Sequence, residues 1–183
     1  MSKNILVLTG SPRKGGNSEL LADAFIKGAL GKGHKVNKFE TAFKNIQGCK
    51  ACKACWSNGK ACVFDDDFME LVPLLNAADV IVLCTPVYWF GMSAQIKLAI
   101  DKLYSYMSSG CPNKLKIKES CLIACAGDEE KEVFEGVEGT YKGIVNYLKW
   151  KDRGMLTVPS VYEIGDVLET EFISRAEELG GSI

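Results

Sequence analysis

Short apolar, β-branched segments alternate with longer amphipathic segments along the chain, and this alternation is the strongest constraint on its fold. Residues 5–9, 80–84 and 120–125 are apolar enough to be strands buried on both faces, as in a parallel sheet. Residues 35–39 and 155–158 are weaker strand candidates. Apolar residues at helical spacing predict helices over residues 18–30, 94–104, 133–148 and 169–179. This order predicts right-handed βαβ units, and therefore a doubly wound α/β fold with helices on both sides of a parallel sheet.

Composition and charge limit the function classes. Hydrophobic residues make up 47% of the sequence, which is enough for a single domain spanning residues 1–183, and there is no linker or internal repeat. Lys and Arg number 22 against 23 Asp and Glu, so no strong positive field is available to attract nucleic acid or an anionic membrane. No segment approaches the ~20 apolar residues of a membrane-spanning helix, and the first apolar run is too short for a signal peptide. We expect a cytoplasmic protein with neither kind of partner.

The loop after the first predicted strand, residues 10–18, reads GSPRKGGNS and is called the Gly-rich loop below. It opens a helix and offers small residues, hydroxyls, an amide and two cations, which is typical of a phosphate site. Gly16 stands where a Walker A loop needs Lys, and the G-x-G-x-x-G of dinucleotide sites is absent. The alternative is an ordinary turn with Asn17 or Ser18 as the helix N-cap.

Two further loops follow the third and fourth predicted strands, at the edge of the sheet where ligands bind in such folds. Residues 85–92, the aromatic loop, read TPVYWFGM, and three consecutive aromatic residues there suit a planar ring system. The alternative is that these rings pack under a neighbouring loop or in a dimer interface. Residues 126–130, the acidic loop, read AGDEE and offer backbone groups and carboxylates, although a plain turn would look the same.

The cysteines form the second chemical signal. Four of the eight lie within residues 48–65, the Cys loop, with the spacing C-x2-C-x2-C-x6-C: Cys49, Cys52, Cys55 and Cys62. Without an export signal these are expected to be reduced thiols or metal ligands, and four thiolates at this spacing can hold one cluster. A four-Cys zinc site and free thiols activated by neighbouring lysines are the alternatives. We interpret the other four cysteines as structural and the acidic run 65–67 as the cap of the next helix.

Together, GSPRKGGNS, PVYWFGM followed by QIKLAIDKLY, and AGDEE resemble the NAD(P)H-dependent FMN reductases of the flavodoxin-like superfamily. The Cys loop resembles the motif of the iron-sulfur flavoproteins, a branch of that superfamily with a four-iron four-sulfur cluster. The resemblance implies a flavodoxin-like three-layer sandwich with a five-stranded parallel sheet in the order 2-1-3-4-5. It also implies FMN as the cofactor, NAD(P)H as the electron donor, and a homodimer or higher homo-oligomer with the flavin near the subunit interface.

The resemblance assigns site residues by position. The FMN phosphate would contact Ser11, Arg13, Asn17 and Ser18. The ring and ribityl chain would lie along Pro86, Val87, Tyr88, Trp89 and Gly91. The pyrimidine side would meet Ala126, Gly127 and Asp128. The cluster would be ligated by Cys49, Cys52, Cys55 and Cys62. No catalytic side chain is expected, because the flavin carries the chemistry.

These observations predict an FMN-dependent oxidoreductase that passes electrons from NAD(P)H to a flavin, a quinone or another small-molecule or protein acceptor, with the cluster as a relay if one is present. The only His, His34, lies in the polar turn GKGHK and is interpreted as a solvated loop residue. One alternative is a flavodoxin-type electron carrier that does not turn over a nicotinamide. Another is a metal or redox sensor that uses the Cys loop without a flavin.

Overall fold

The computed structural model describes residues 1–183. The strands are β1 (Asn4–Thr9), β2 (Lys35–Glu40), β3 (Val80–Tyr88), β4 (Gly91–Met92), β5 (Glu119–Cys125) and β6 (Lys151–Val158). The α-helices are α1 (Asn17–Gly31), α2 (Phe68–Ala77), α3 (Ala94–Asp101), α4 (Glu135–Leu148) and α5 (Phe172–Gly181). Short 3₁₀ segments extend the predicted helices, as at Lys102–Met107 after α3 and Lys131–Phe134 before α4.

The sheet has the order β2-β1-β3-β5-β6, and these five strands are all parallel. Numbered among the parallel strands alone, this is the order 2-1-3-4-5 of the flavodoxin-like fold, so that prediction is confirmed. The structure adds a short sixth strand, β4, which pairs antiparallel with the end of β3. The aromatic loop was predicted to be an open loop. It is instead a tight hairpin, because β3 continues past Cys84 to Tyr88 before the chain turns back.

Side chains of each strand alternate between two apolar layers. Leu6 and Leu8 belong to a core of 27 buried residues on the face covered by α2, α3 and α4. Ile5 and Val7 belong to a core of 18 buried residues on the face covered by α1 and α5. The sheet is therefore the middle layer of a three-layer sandwich, as the resemblance implied. None of the helices has the length and apolar character that a membrane crossing requires.

The predicted helix caps are present only in part: Asp66 accepts from the N–H of Phe68, the first residue of α2, at 3.1 Å. Gly16 occupies the N-cap position of α1, and no side chain caps that helix. Asp67 stands at the N-cap of α2 without a capping hydrogen bond, because its carboxylate accepts instead from the backbone N–H of Asn45 at 2.7 Å. His34 is also more constrained than expected: it is half-buried, and its Nδ1 accepts from the backbone N–H of Lys3 at 3.1 Å.

Candidate functional site

A cleft of about 330 Å³ lies beyond the carboxyl ends of β1, β3 and β5, where the Gly-rich, aromatic and acidic loops meet. It is lined by ten of the twelve predicted cofactor residues: Ser11, Arg13, Asn17, Ser18, Pro86, Val87, Tyr88, Ala126, Gly127 and Asp128. Trp89 and Gly91 do not line it. Gly16, Cys125, Val161 and Tyr162 complete the lining. These four residues are not among the cofactor residues predicted from the sequence.

The start of α1 offers backbone donors to this cleft. The N–H groups of Asn17 and Ser18 have no hydrogen-bond acceptor within the chain. Gly15, at φ +66°, turns the chain into the helix, and its N–H donates to Glu19 at 2.7 Å. Free N–H groups at the positive end of a 15-residue helix form a site for an anion.

Glu19 brings a negative charge close to that site, and Lys38 offsets it. Lys38 Nζ donates to the carboxylate of Glu19 at 2.9 Å and to that of Asp23 at 2.8 Å. Burial alone would raise the pKa of Glu19, but the hydrogen bonds from Lys38 and Gly15 outweigh it and lower that pKa. Because the charge of Glu19 is paired, it opposes an anion at the helix end less than a free carboxylate would.

The side chains of Arg13 and Asn17 reach across to the loop after β6. Arg13 Nη1 donates to the backbone oxygen of Tyr162 at 2.8 Å, and Asn17 Nδ2 donates to that of Glu163 at 2.8 Å. The Asn17 Oδ1 accepts from the N–H groups of Gly165 and Val167 at 3.1 and 3.2 Å. The side-chain amide of Asn17 is therefore occupied by hydrogen bonds to the backbone of the loop after β6. Only the backbone N–H of Asn17 remains free for an anion.

The tip of the β3–β4 hairpin carries Trp89 and Phe90 in the left-handed conformation, at φ +48° and +64°. This is the backbone of a type I′ turn, which normally takes Asn or Gly. Trp89 is 96% exposed and Phe90 58% exposed, so neither ring packs under a neighbouring loop. The hairpin lies against α4, where a Cβ on Gly136 would come within 2.2 Å of the Phe90 oxygen. Tyr88, just before the tip, is the aromatic residue of this loop that lines the cleft.

The acidic loop is joined to the same β6–α5 connection. Ala126 N–H donates to Val158 at 2.9 Å, and the Val161 N–H donates back to Ala126 at 2.9 Å. The N–H groups of Gly127 and Asp128 have no acceptor within the chain. This edge of the cleft therefore presents two further donors.

Two buried thiols lie beneath the cleft. Burial raises the pKa of Cys125 to about 12, and it raises that of Cys84 well above its usual value. Cys84 Sγ donates to the backbone oxygen of Ser18 at 2.9 Å. Both groups are neutral thiols at physiological pH, which agrees with their interpretation as structural residues.

The four cysteines of the Cys loop line one small cavity of about 30 Å³, with Lys102 and Tyr104 among its other walls. Cys49 and Cys52 are exposed, whereas Cys55 and Cys62 are half-buried. The pKa of Cys55 is raised by burial and then by the three other thiols. No group of three or more His, Cys, Asp or Glu side chains is arranged to hold a metal ion in this structure. The four cysteines therefore line one cavity, and their assignment as the ligands of one cluster stays a prediction.

The backbone of the Cys loop nevertheless fits an anionic cluster. Ala51, Lys53 and Trp56 have φ values of +50°, +57° and +63°, which cost of the order of 1 kcal/mol each in residues other than Gly. The N–H groups from 49 to 55 donate to no oxygen of the chain. Successive N–H groups in alternating left- and right-handed conformations form concave anion sites, including those of iron-sulfur clusters. Hydrogen bonds to the sulfur atoms of an iron-sulfur cluster are among the main determinants of its reduction potential.

Two anchors fix this loop to the body of the protein. The Asp66 carboxylate accepts from the N–H of Gln47, at 2.8 Å, and from that of Phe68, at 3.1 Å, which joins the two ends of the loop. The same carboxylate forms an ion pair with the buried Lys102. Within the loop, Trp56 Nε1 donates to the backbone oxygen of Ser105 at 2.8 Å.

Comparison with known proteins agrees with this architecture. The family model for NADPH-dependent FMN reductase matches residues 3–130. The chain belongs to this family. As an FMN reductase it is an NAD(P)H-dependent flavin oxidoreductase, and the cofactors of its family are FMN and NAD(P)H. The family match ends before β6, so it does not include the loop that Arg13 and Asn17 hold.

Individual relatives also support membership of this family. An iron-sulfur flavoprotein from Archaeoglobus fulgidus is 31% identical over 181 residues, covering 96% of this chain and 76% of that protein. An iron-sulfur flavoprotein from Methanosarcina thermophila is 36% identical over 95 residues, covering 52% of this chain and 49% of that protein. A solved NAD(P)H:quinone oxidoreductase from Methanothermobacter marburgensis superimposes with a TM-score of 0.79 at 18% identity, covering 99% of this chain and 96% of that one. The resemblance stated from the sequence is thus confirmed.

Proposed function

We propose that FMN binds in the cleft beyond β1, β3 and β5, with its phosphate at the start of α1. The observation that carries this proposal is the convergence of three loops on one cleft that opens onto the free N–H groups of Asn17 and Ser18. Arg13 adds a positive charge at the same end. Pro86, Val87 and Tyr88 provide the apolar wall for the ring and ribityl chain, and the acidic loop lies at the pyrimidine side.

The bound flavin supplies hydride acceptance from NAD(P)H and the release of one or two electrons. The protein binds and orients the flavin and stabilises the charge that develops on it. The free N–H groups of Gly127 and Asp128 are donors for the pyrimidine edge, where negative charge develops on reduction. The thiols of Cys84 and Cys125 beneath the cleft are neutral, because burial raises their pKa values, and so they add no negative charge there.

The Cys loop is proposed to hold a four-iron four-sulfur cluster on Cys49, Cys52, Cys55 and Cys62. The free N–H groups of residues 49–55 and the positive-φ residues between the cysteines support this assignment, as do relatives that are themselves named iron-sulfur flavoproteins. Such a cluster would pass electrons one at a time from the flavin to a small-molecule or protein acceptor. Lys50, Lys53 and Lys60 place positive charge beside these thiolates.

We test this function with an anaerobically purified sample whose visible spectrum, iron and acid-labile sulfide are measured together. Flavin bands that NAD(P)H bleaches, with four iron and four sulfide per chain, are the expected result. Flavin bands without iron would contradict the cluster and leave an FMN reductase with free thiols. Flavin that NAD(P)H does not reduce would favour an electron carrier. The Cys62→Ala variant should lose iron and keep flavin, whereas the control Cys111→Ala should keep both.

A homodimer is also part of the proposal. The strained, exposed tip at Trp89 and Phe90 is the kind of apolar feature that a second copy would cover. We expect wild-type protein to elute as a dimer or larger species in size-exclusion chromatography with light scattering. A Trp89→Ser variant should shift toward monomer, and a wild-type monomer would contradict this part.

A further inference from the structure

The loop between β6 and α5, residues 159–171, forms one wall of the cleft although it lies outside the matched family region. Its residues Val161 and Tyr162 line the cleft together with residues of the aromatic loop. Its fold is fixed from within by Asp166, whose carboxylate accepts from the N–H groups of Tyr162 and Glu163 at 2.9 and 2.7 Å. The loop is therefore an ordered part of the site.

Besides its backbone hydrogen bonds to the acidic loop, the β6–α5 loop is held by two side chains of the Gly-rich loop. Arg13 Nη1 holds the backbone oxygen of Tyr162, and the amide of Asn17 holds the backbone at residues 163, 165 and 167. The element that would contact the phosphate thus also helps to position the β6–α5 loop. A guanidinium has five N–H donors. Arg13 therefore keeps donors for an anion while it holds Tyr162.

The ring of Tyr162 occupies a defined place at the cleft. The Arg13 guanidinium carbon lies over the ring, 5.8 Å from its centroid. A Cβ at Gly127 would lie 2.8 Å from Tyr162 Cδ2, so glycine at this position lets the ring approach the acidic loop closely. The side chain is still 68% exposed, which leaves a large aromatic surface for a ligand to cover.

We propose that Tyr162 is a cofactor-contacting residue that closes the cleft against bound FMN, and that Arg13 couples its loop to the cofactor phosphate. This inference rests on the proposed FMN site. Occupation of the phosphate site fixes the Arg13 guanidinium, and the fixed guanidinium holds the Tyr162 carbonyl. FMN binding therefore stabilises residues 160–167, whereas riboflavin, which has no phosphate, stabilises them less.

The first experiment measures binding. Apoprotein is titrated into FMN and into riboflavin, and flavin fluorescence is followed for wild type, Tyr162→Ala, Tyr162→Phe and a control, Tyr147→Ala. Tyr147 is an equally exposed tyrosine on α4 that does not line the cleft. Loss of the Tyr162 ring should weaken FMN binding about tenfold, the effect of one aromatic contact, while Tyr162→Phe and Tyr147→Ala should bind as wild type does.

The second experiment measures hydrogen exchange with FMN, riboflavin and inorganic phosphate. FMN should protect the amides of residues 160–167 more than riboflavin does, and Arg13→Ala should abolish the difference. Unchanged FMN affinity in Tyr162→Ala, or equal protection by the two flavins, would overturn the inference. These results differ from a failure of the proposed site, in which wild-type protein would not bind FMN or Arg13→Ala would bind it equally well.

Discussion

The charged groups of Asp66 and Lys102 are almost fully removed from water, with side-chain exposures of 0% and 3%. Together they stabilise the base of the Cys loop, because Asp66 also accepts from the N–H groups of Gln47 and Phe68. Sequence analysis interpreted the acidic run as a helix cap. Asp66 does contact the first residue of α2, but its pairing with Lys102, 36 residues away, could not be read from local spacing.

Lys102→Met is expected to destabilise the protein by about 3–5 kcal/mol, because it leaves the Asp66 carboxylate buried without a counter-charge. Urea denaturation of the apoprotein measures the change. The matched control is Lys97→Met on the preceding helix, whose exposed pair with Asp101 contributes about 0.3–0.5 kcal/mol. Equal small effects of both substitutions would contradict this account of the buried pair.

At the scale of elements, helices α1 and α5 approach until their backbones touch. A Cβ on Gly28 would lie 1.9 Å from the oxygen of Glu177, and one on Gly180 would lie 2.0 Å from that of Phe25. This contact packs α1 and α5 together in the layer on one face of the sheet. Helix α5 begins just after the loop that lines the cleft. The glycines of α4 at 139 and 143 have open space around them instead.

Gly28→Ala is therefore expected to lower the free energy of unfolding by about 1–3 kcal/mol, because backbone atoms must move apart to admit the methyl group. Gly139→Ala, in an exposed helical position, should raise it by about 0.5–1 kcal/mol, since alanine loses less backbone entropy on folding. Chemical denaturation of both variants measures these two changes in the free energy of unfolding. A neutral Gly28→Ala would show that the two helices can separate at no cost.

The hairpin at the end of β3 could not be predicted from the sequence. Strand β3 was predicted to end at Cys84, because Pro86 and the aromatic run indicate a loop. The chain turns instead through Trp89 and Phe90 at positive φ, although neither of these two central positions carries the Asn or Gly that signals such a turn. Trp89 consequently lies at the hairpin tip and does not line the cleft to which the resemblance assigned it.

At the scale of the whole molecule, the parallel sheet and most of the cleft follow from the sequence. The apolar segments at 5–9, 80–84 and 120–125 lie within β1, β3 and β5, and the loops after them meet because parallel strands end at one edge. Tyr162 was missed because its place depends on tethers from Arg13 and Asn17, about 150 residues earlier in the chain. The spacing of its cysteines singled out the Cys loop, whose role as a cluster site stays a prediction, but its positive-φ backbone has no periodic signature.

Because of its buried thiols, the whole fold is expected to lose stability as the pH rises in the alkaline range. Burial raises the pKa of Cys121 from its usual 9.0 to about 12. Between these values the folded chain holds a proton that the unfolded chain has lost, so the free energy of unfolding falls as pH rises from about 9 to about 12. Each such thiol contributes a slope of up to about 1.4 kcal/mol per pH unit.

Urea denaturation under reducing conditions at several pH values above 9 measures this slope. Cys121→Ala should show a shallower slope than wild type. Val82→Ala, which truncates the paired residue on β3 without removing a titrating group, should lower the stability at all pH values and keep the wild-type slope. A slope unaltered by Cys121→Ala would contradict the assignment.

The account depends most on the cleft being an FMN site with its phosphate at the start of α1. The most direct measurement is a fluorescence titration of FMN with wild-type apoprotein and with Arg13→Ala. The account predicts saturable binding of one FMN per chain, weakened at least tenfold in the variant by loss of a charge-assisted contact. Absence of FMN binding by the wild type, or equal affinity of the two proteins, would contradict it.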